Sequence, residues 1–113
     1  MNSEFYQDFR QCWEKIEEVG NLYAEARGQS YQAQELKGSV LASIIKRYPD
    51  LPISKAEIEA KASDDYKNYI IETSEAIKKE LKLKAQYERW KAQLEATRSL
   101  SSLEKVTQHQ IGD

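Results

Sequence analysis

The sequence predicts an all-α fold, an antiparallel, coiled-coil-like hairpin of two long helices with a short helix at the corner. Its 113 residues include only four Gly and two Pro, too few turn-forming residues for a many-stranded β fold. Two long segments carry apolar residues at alternating steps of three and four, the heptad spacing of helices that share one seam. Both prolines lie between these segments. We therefore predict one domain over residues 1–113 with a single corner.

The first long helix is predicted over about residues 3–48. Its seam positions are Phe5, Phe9, Cys12, Ile16, Val19, Tyr23, Ala26, Ser30 and Ala33. After Ala33 the apolar face broadens, which indicates contact with more than one neighbour. Gly20, Gly28 and Gly38 lie inside the segment, and each costs up to roughly 1 kcal/mol relative to Ala. A continuous helix is favoured, because the apolar register continues past Gly28; a break near Gly28 is the alternative.

The corner and the second long helix follow from their capping residues. Residues 49–63 form the Pro-containing corner, in which Ser54 and Glu57 match a capping box and predict a short helix to about residue 62. Ser63, followed by two aspartates, predicts the cap of a helix over about residues 64–103. The seam positions of that helix are Tyr66, Tyr69, Thr73, Ala76, Leu83, Tyr87, Trp90 and Leu94. Residues 104–113 are predicted to form a frayed tail.

Folding back at the corner predicts both a register and a set of uncovered apolar residues. The register places Tyr87 beside Ala26 and Tyr23 beside Trp90. Two helices have little interior, so several apolar side chains beside the seams lack cover and become candidate protein-interface residues. These residues are Tyr6, Trp13, Ile70, Ile77 and Leu81. They predict a homo-oligomer, with a dimer favoured.

The sequence offers little support for catalysis. It has no Gly-rich phosphate loop and no Cys pair, its only histidine is His109, and its only cysteine, Cys12, occupies a seam position suited to a small buried hydrophobe. We therefore predict a non-enzymatic protein without metal or cofactor. The single cysteine, the absence of an apolar run of about 18 residues and an N-terminus unlike a signal peptide predict a cytoplasmic protein outside the membrane.

Three basic residues form a candidate stripe for nucleic acid or an acidic partner. Lys78, Lys82 and Arg89 fall within about 40° of one another on a helical wheel, opposite the seam. Such a stripe could follow a phosphate backbone. The net charge of −2 and the acids placed three or four residues from the lysines favour a solvated face with ion pairs instead. Direct single-stranded nucleic-acid binding is kept as the alternative.

Two stretches carry a resemblance to a protein group. They read ASDDYKNY at 62–69 and KAQYERWKAQLEATRS at 84–99. These stretches resemble small helical proteins encoded by bacteriophages and prophages near recombination or replication functions. The resemblance covers about the second half of the chain and transfers no catalytic residue, because the group has no settled activity. It implies a cytoplasmic, phage-derived protein acting around DNA recombination or replication, or in host defence.

The residues and the resemblance together predict a helical protein that binds a protein partner. Two alternatives stay open. One is direct binding of single-stranded nucleic acid, and the other is inhibition of a host defence complex in the manner of an anti-CRISPR protein.

Overall fold

Four helices make up the described part of the chain. The computed structural model describes the backbone of residues 2–112 and the side chains of residue 4 and residues 6–107, so the predictions on Phe5 and His109 lie outside the described side chains. The helices are α1 (Asn2–Glu35), α2 (Lys37–Ile45), α3 (Ile53–Ala62) and α4 (Asp64–Gly112). No strand occurs within residues 2–112. The all-α prediction is therefore confirmed.

The chain divides into two compact units. Unit 1 comprises Met1–Ala24 and Lys82–Asp113, and unit 2 comprises Glu25–Leu81. In unit 1, Phe9 meets Arg98 and Tyr23 meets Tyr87, so α1 and α4 run antiparallel. In unit 2, the Tyr69 hydroxyl donates to the Ala33 carbonyl and Arg47 pairs with Asp65, so α4 runs antiparallel to the α1–α2 segment. The predicted helical hairpin is thus confirmed in each unit.

Three predicted seam residues of unit 1 are buried, namely Cys12, Val19 and Leu94. Thr97, one step beyond the predicted positions, is buried as well. The register differs from the predicted one. The Tyr87 ring packs against Tyr23, with 5.9 Å between ring centroids, and a Cβ at Gly20 would lie 3.6 Å from the same ring. Tyr87 therefore faces α1 about one turn before Ala26, because its large ring fits where Gly20 leaves space.

Unit 2 contains two further helices that pack against each other, α2 and α3. They bury Ile44, Ala56 and Ala60 almost completely. The small alanine side chains allow this close approach. Arg47 also forms an ion pair with Asp65 at the start of α4. The broad apolar face predicted after Ala33 therefore belongs to a region with several neighbours.

The predicted first helix over residues 3–48 is wrong in one respect, because it is divided at Leu36. The Leu36 amide still donates to the Gln32 carbonyl at 3.0 Å, and its carbonyl accepts from the Val40 amide at 2.9 Å. The backbone hydrogen bonds therefore continue on both sides of this one-residue interruption. The interruption falls where the narrow seam gives way to the broader apolar face predicted after Ala33. Gly28, the predicted alternative break, lies inside α1.

One predicted cap forms and the other does not. Helix α3 begins at Ile53, after Pro52, without a side-chain cap. Ser54 therefore lies inside the helix, and the predicted capping box is wrong. Glu57 instead pairs with Lys61 at 3.0 Å, and this hydrogen bond raises the pKa of Lys61. The predicted Ser63 cap is confirmed, because its hydroxyl accepts from the Tyr66 amide at 3.3 Å and donates to the Ala60 carbonyl at 2.6 Å.

Helix α4 extends past its predicted end. The sequence predicts a frayed tail over residues 104–113, but the helix continues to Gly112. No Gly or Pro interrupts the chain between Pro52 and Gly112. The polar Thr107 hydroxyl donates to the Leu103 carbonyl of its own helix at 3.0 Å. Polar composition alone therefore did not end the helix.

Candidate protein-binding face

One side of unit 1 joins an aromatic edge to a cationic edge. The aromatic edge is Tyr6 and Trp13 of α1, seven residues apart. The cationic edge consists of α4 residues at the same spacing, namely Lys91, Arg98 and Lys105. Residues repeated every seven positions share one side of a packed helix. Together we call these two edges the aromatic–cationic face.

Two open grooves bring the two edges together. In the first, Tyr6 and Phe9 of α1 lie across from Arg98 and Lys105 of α4, and small polar side chains of α4 form the floor. The second groove places Trp13 beside Lys91. Its other lining residues are Ile16, Tyr87, Ala92, Leu94 and Glu95. Both grooves therefore have aromatic rings on the α1 edge and positive charges on the α4 edge.

Two of the three cations of this face lie over aromatic rings. Lys91 Nζ lies 4.8 Å from the centroid of the Tyr87 ring, and the Arg98 guanidinium carbon lies 5.7 Å from the Phe9 centroid. Each such contact is worth about 0.5–1 kcal/mol at an exposed site. Arg98 also pairs with Glu95 at 3.2 Å. These contacts hold the long side chains along the groove while the charged groups stay accessible.

The aromatic edge itself is open to solvent. Tyr6 is 70 % exposed and Trp13 is 54 % exposed. Large aromatic side chains often anchor protein interfaces, because they bury much apolar area at low conformational cost. The other predicted interface residues lie in unit 2, where Ile70 and Ile77 are half-buried and Leu81 is exposed. Only Tyr6 and Trp13 of the five candidates belong to the aromatic–cationic face.

The predicted basic stripe is exposed and divided between the units. Lys78 lies in unit 2 and pairs with Glu75 at 3.8 Å. Lys82 and Arg89 lie in unit 1, and neither forms an ion pair with the described side chains. The expected pattern of neutralising pairs is therefore only partly present. Arg89 borders a shallow groove beside Trp90 and Asp8.

Sequence reasoning missed the cationic edge. This edge is a seven-residue repeat of basic side chains, each one residue after a position at seam spacing: Lys91, Arg98 and Lys105. The repeat in the sequence could have indicated a row of cations beside the seam. The stripe of Lys78, Lys82 and Arg89 lies opposite the seam on the helical wheel. The cations of the aromatic–cationic face instead lie directly beside the seam, and this position brings each cation next to the facing helix.

Neither a metal site nor a membrane span is found in the part of the chain that the structure describes. No group of three or more His, Cys, Asp or Glu side chains among the described residues could hold a metal ion. No helix within the described range is long and apolar enough to cross a bilayer. Cys12 is buried in the seam of unit 1.

Comparison of the chain with protein-family models, curated proteins and solved structures finds no match. The fold and the face thus define an all-α helical hairpin with an exposed aromatic–cationic surface.

Proposed function

We propose that this protein is non-enzymatic and acts by binding a polypeptide on the aromatic–cationic face. The observation that supports this most is Trp13, a large ring left 54 % exposed in a groove that it shares with Lys91. Burial of such a ring contributes about 25 cal/mol per Å² of apolar surface. The cations would orient the partner and select carboxylates. The face therefore suits a helix that has an apolar centre and an acidic edge.

The proposed setting comes from the family resemblance. It supports a cytoplasmic, phage-derived protein that acts around DNA recombination or replication through a protein complex. Inhibition of a host defence complex would use the same kind of surface. Plaque counts on strains with and without defined defence systems separate the two settings, because only an inhibitor changes the counts in a defence-dependent way.

Photo-crosslinking tests the binding proposal directly. A photoreactive phenylalanine analogue replaces Tyr6 in the full chain, which is expressed in bacterial cells. The matched control carries the analogue at Tyr31, which is 66 % exposed but lies in unit 2. We expect a polypeptide adduct from position 6 that disappears with Lys91→Glu/Arg98→Glu, and none from position 31. Equal labelling at both positions, or none at position 6, would contradict the proposal.

A second candidate function is direct binding of single-stranded nucleic acid. It is supported by Lys82 and Arg89, which lie exposed without an ion pair among the described side chains. Phosphate contacts through such side chains release counterions, so the affinity falls as salt rises.

An oligonucleotide titration tests this second candidate. A labelled single strand is titrated at low and moderate salt with the wild type, with Lys82→Glu/Arg89→Glu and with the control Lys67→Glu. The candidate predicts salt-sensitive binding that only the double variant weakens. Absence of binding at low salt would eliminate it.

A further inference from the structure

We infer that the occupant of the aromatic–cationic face is the same face of a second copy of this chain. The inference rests on the proposed function and names its partner. The face carries both complementary halves of a contact, rings on α1 and cations on α4. A symmetric dimer uses one patch twice, so each aromatic edge can meet the partner's cationic edge. One face can thus supply both sides of its own interface.

The helix directions favour one symmetry. A twofold axis parallel to the helices, between two stacked faces, places α1 of each copy over α4 of the other. Such an axis keeps every residue at its own height along the helices. Trp13 and Lys91 line the same groove, so the two lie at neighbouring heights along the helices. Trp13 therefore meets the partner's Lys91 in the dimer, and the reciprocal contact forms on the other side of the axis.

The charges of the two helical segments favour the same arrangement. Residues 2–24 carry five acidic and two basic side chains, a net charge of −3. Residues 82–107 carry three acidic and six basic side chains, a net charge of +3. Stacking α1 over the partner's α4 brings opposite charges together. A twofold axis perpendicular to the helices in the interface plane would stack α4 over α4, and like charges across an interface are repulsive.

The twofold symmetry predicts that two different variants, each unable to form a homodimer, will complement each other when mixed. Trp13→Lys places a cation against the partner's cationic edge, so this variant should not form a homodimer. Lys91→Glu/Arg98→Glu removes the cations that cover the partner's Trp13 and should also be monomeric. When the two variants are mixed, the new lysine meets two glutamates and the other contact retains its native residues. The mixture should therefore form a heterodimer.

Light scattering on the full chain measures each of these states. The wild type should have twice the 13.1 kDa mass of one chain. Each variant alone should have a dimer Kd raised at least about tenfold. The mixture of the two variants should recover the dimer. Tyr31→Lys, in unit 2, is the matched control and should remain dimeric. Circular dichroism checks that each variant is helical, and Tyr6→Lys serves as a second cationic substitution.

The outcomes separate this inference from the proposed function. A wild-type mass of one chain, or folded variants that do not recover the dimer on mixing, would overturn the inference. If the position 6 crosslink then joins a different protein, the proposed function stands and only the second copy is rejected. If there is neither a dimer nor an adduct, both are rejected.

Discussion

The same edge of α4 has different side chains and a different environment in the two units. In unit 2 it carries Ile70 and Ile77, and both are half-buried. In unit 1 the same seven-residue repeat continues with exposed cations at Lys91, Arg98 and Lys105. The sequence thus places apolar residues on this edge in unit 2 and charges in unit 1. This edge keeps its spacing along α4 but is half-buried in unit 2 and exposed in unit 1.

The number of helical segments explains this difference. Unit 2 contains parts of α1 and α4 together with α2 and α3, and it buries Ala56 and Ala60 almost completely. Unit 1 contains segments of only two helices, and its α1 edge exposes Tyr6 and Trp13. Ile53 and Ile58 of α3 are also exposed. The comparison shows that the two-helix unit leaves two large rings exposed, whereas unit 2 buries Ala56 and Ala60 within its own chain.

The largest expected effect tests the packed interior of unit 2. Ile44 is 3 % exposed, and Ile44→Ala should lower the free energy of unfolding by about 3 kcal/mol, since it removes buried carbon and leaves a cavity. Ile53 is 82 % exposed, so Ile53→Ala should change stability by less than about 0.5 kcal/mol. Urea denaturation measures both. Equal losses would show that α2 has no special role in the interior of unit 2.

Two buried threonines provide a matched pair across the units. Thr73 in unit 2 has a buried hydroxyl that finds no hydrogen-bond partner among the described residues. Thr97 in unit 1 donates to the Gln93 carbonyl at 2.9 Å. Thr73→Val should raise the free energy of unfolding by about 1 kcal/mol, because it removes an unsatisfied polar group. Thr97→Val should give no gain. Denaturation curves of both variants decide this, and a loss for Thr73→Val would contradict the assignment.

One glycine in each unit allows the effect of an added Cβ on helix stability to be compared. A Cβ at Gly20 would make an ordinary contact with Tyr87 in unit 1, whereas a Cβ at Gly28 in unit 2 would have no neighbour within 4 Å. Alanine favours a helix over glycine by about 0.8–1 kcal/mol. Both Gly→Ala variants should therefore stabilise the chain by up to this amount, as measured by thermal denaturation. Destabilisation by Gly20→Ala alone would show that Tyr87 packs more tightly than the structure indicates.

The smallest effect concerns the corner. Arg47 and Asp65 form an ion pair in which both side chains are more than half exposed. Exposed pairs contribute about 0.2–1 kcal/mol. A double-mutant cycle with Arg47→Met and Asp65→Asn should give a coupling energy near the lower end of that range, and the coupling should shrink in high salt. A coupling well above 1 kcal/mol would make this contact a main determinant of the corner.

Heptad spacing predicted much of the fold, because burial along a seam follows directly from helix periodicity. Cys12, Val19 and Ala26 are buried as the spacing indicates. The Ser63 cap was also predictable, since a cap depends on neighbouring residues alone. The interruption at Leu36 was not predictable, because leucine is a good helix former and no Gly or Pro stands at that position. The register was also missed, because it depends on how the Tyr87 ring fits against Gly20 in the folded chain.

The candidate site was predictable only in part. Exposed aromatic residues at Tyr6 and Trp13 followed from their position beside the seam. The predicted stripe of Lys78, Lys82 and Arg89 follows from the helical wheel of α4 alone. A single helix does not show which charges lie beside the facing helix. Lys91 and Arg98 became recognisable once their contacts with Tyr87 and Phe9 were known. A charge pattern must therefore be combined with the antiparallel register before it defines a face.

Fluorescence of Trp13 tests the central claim most directly. The chain has two tryptophans, so the variant Trp90→Phe leaves Trp13 as the only indole. Acrylamide quenching of this variant is measured as the protein concentration rises, with the same measurement on Trp90→Phe/Lys91→Glu/Arg98→Glu as the control. We predict that quenching of Trp13 falls as the dimer forms and stays constant in the control. Quenching of Trp13 that is independent of concentration, at a mass of one chain, would contradict the claim that a second copy covers this face.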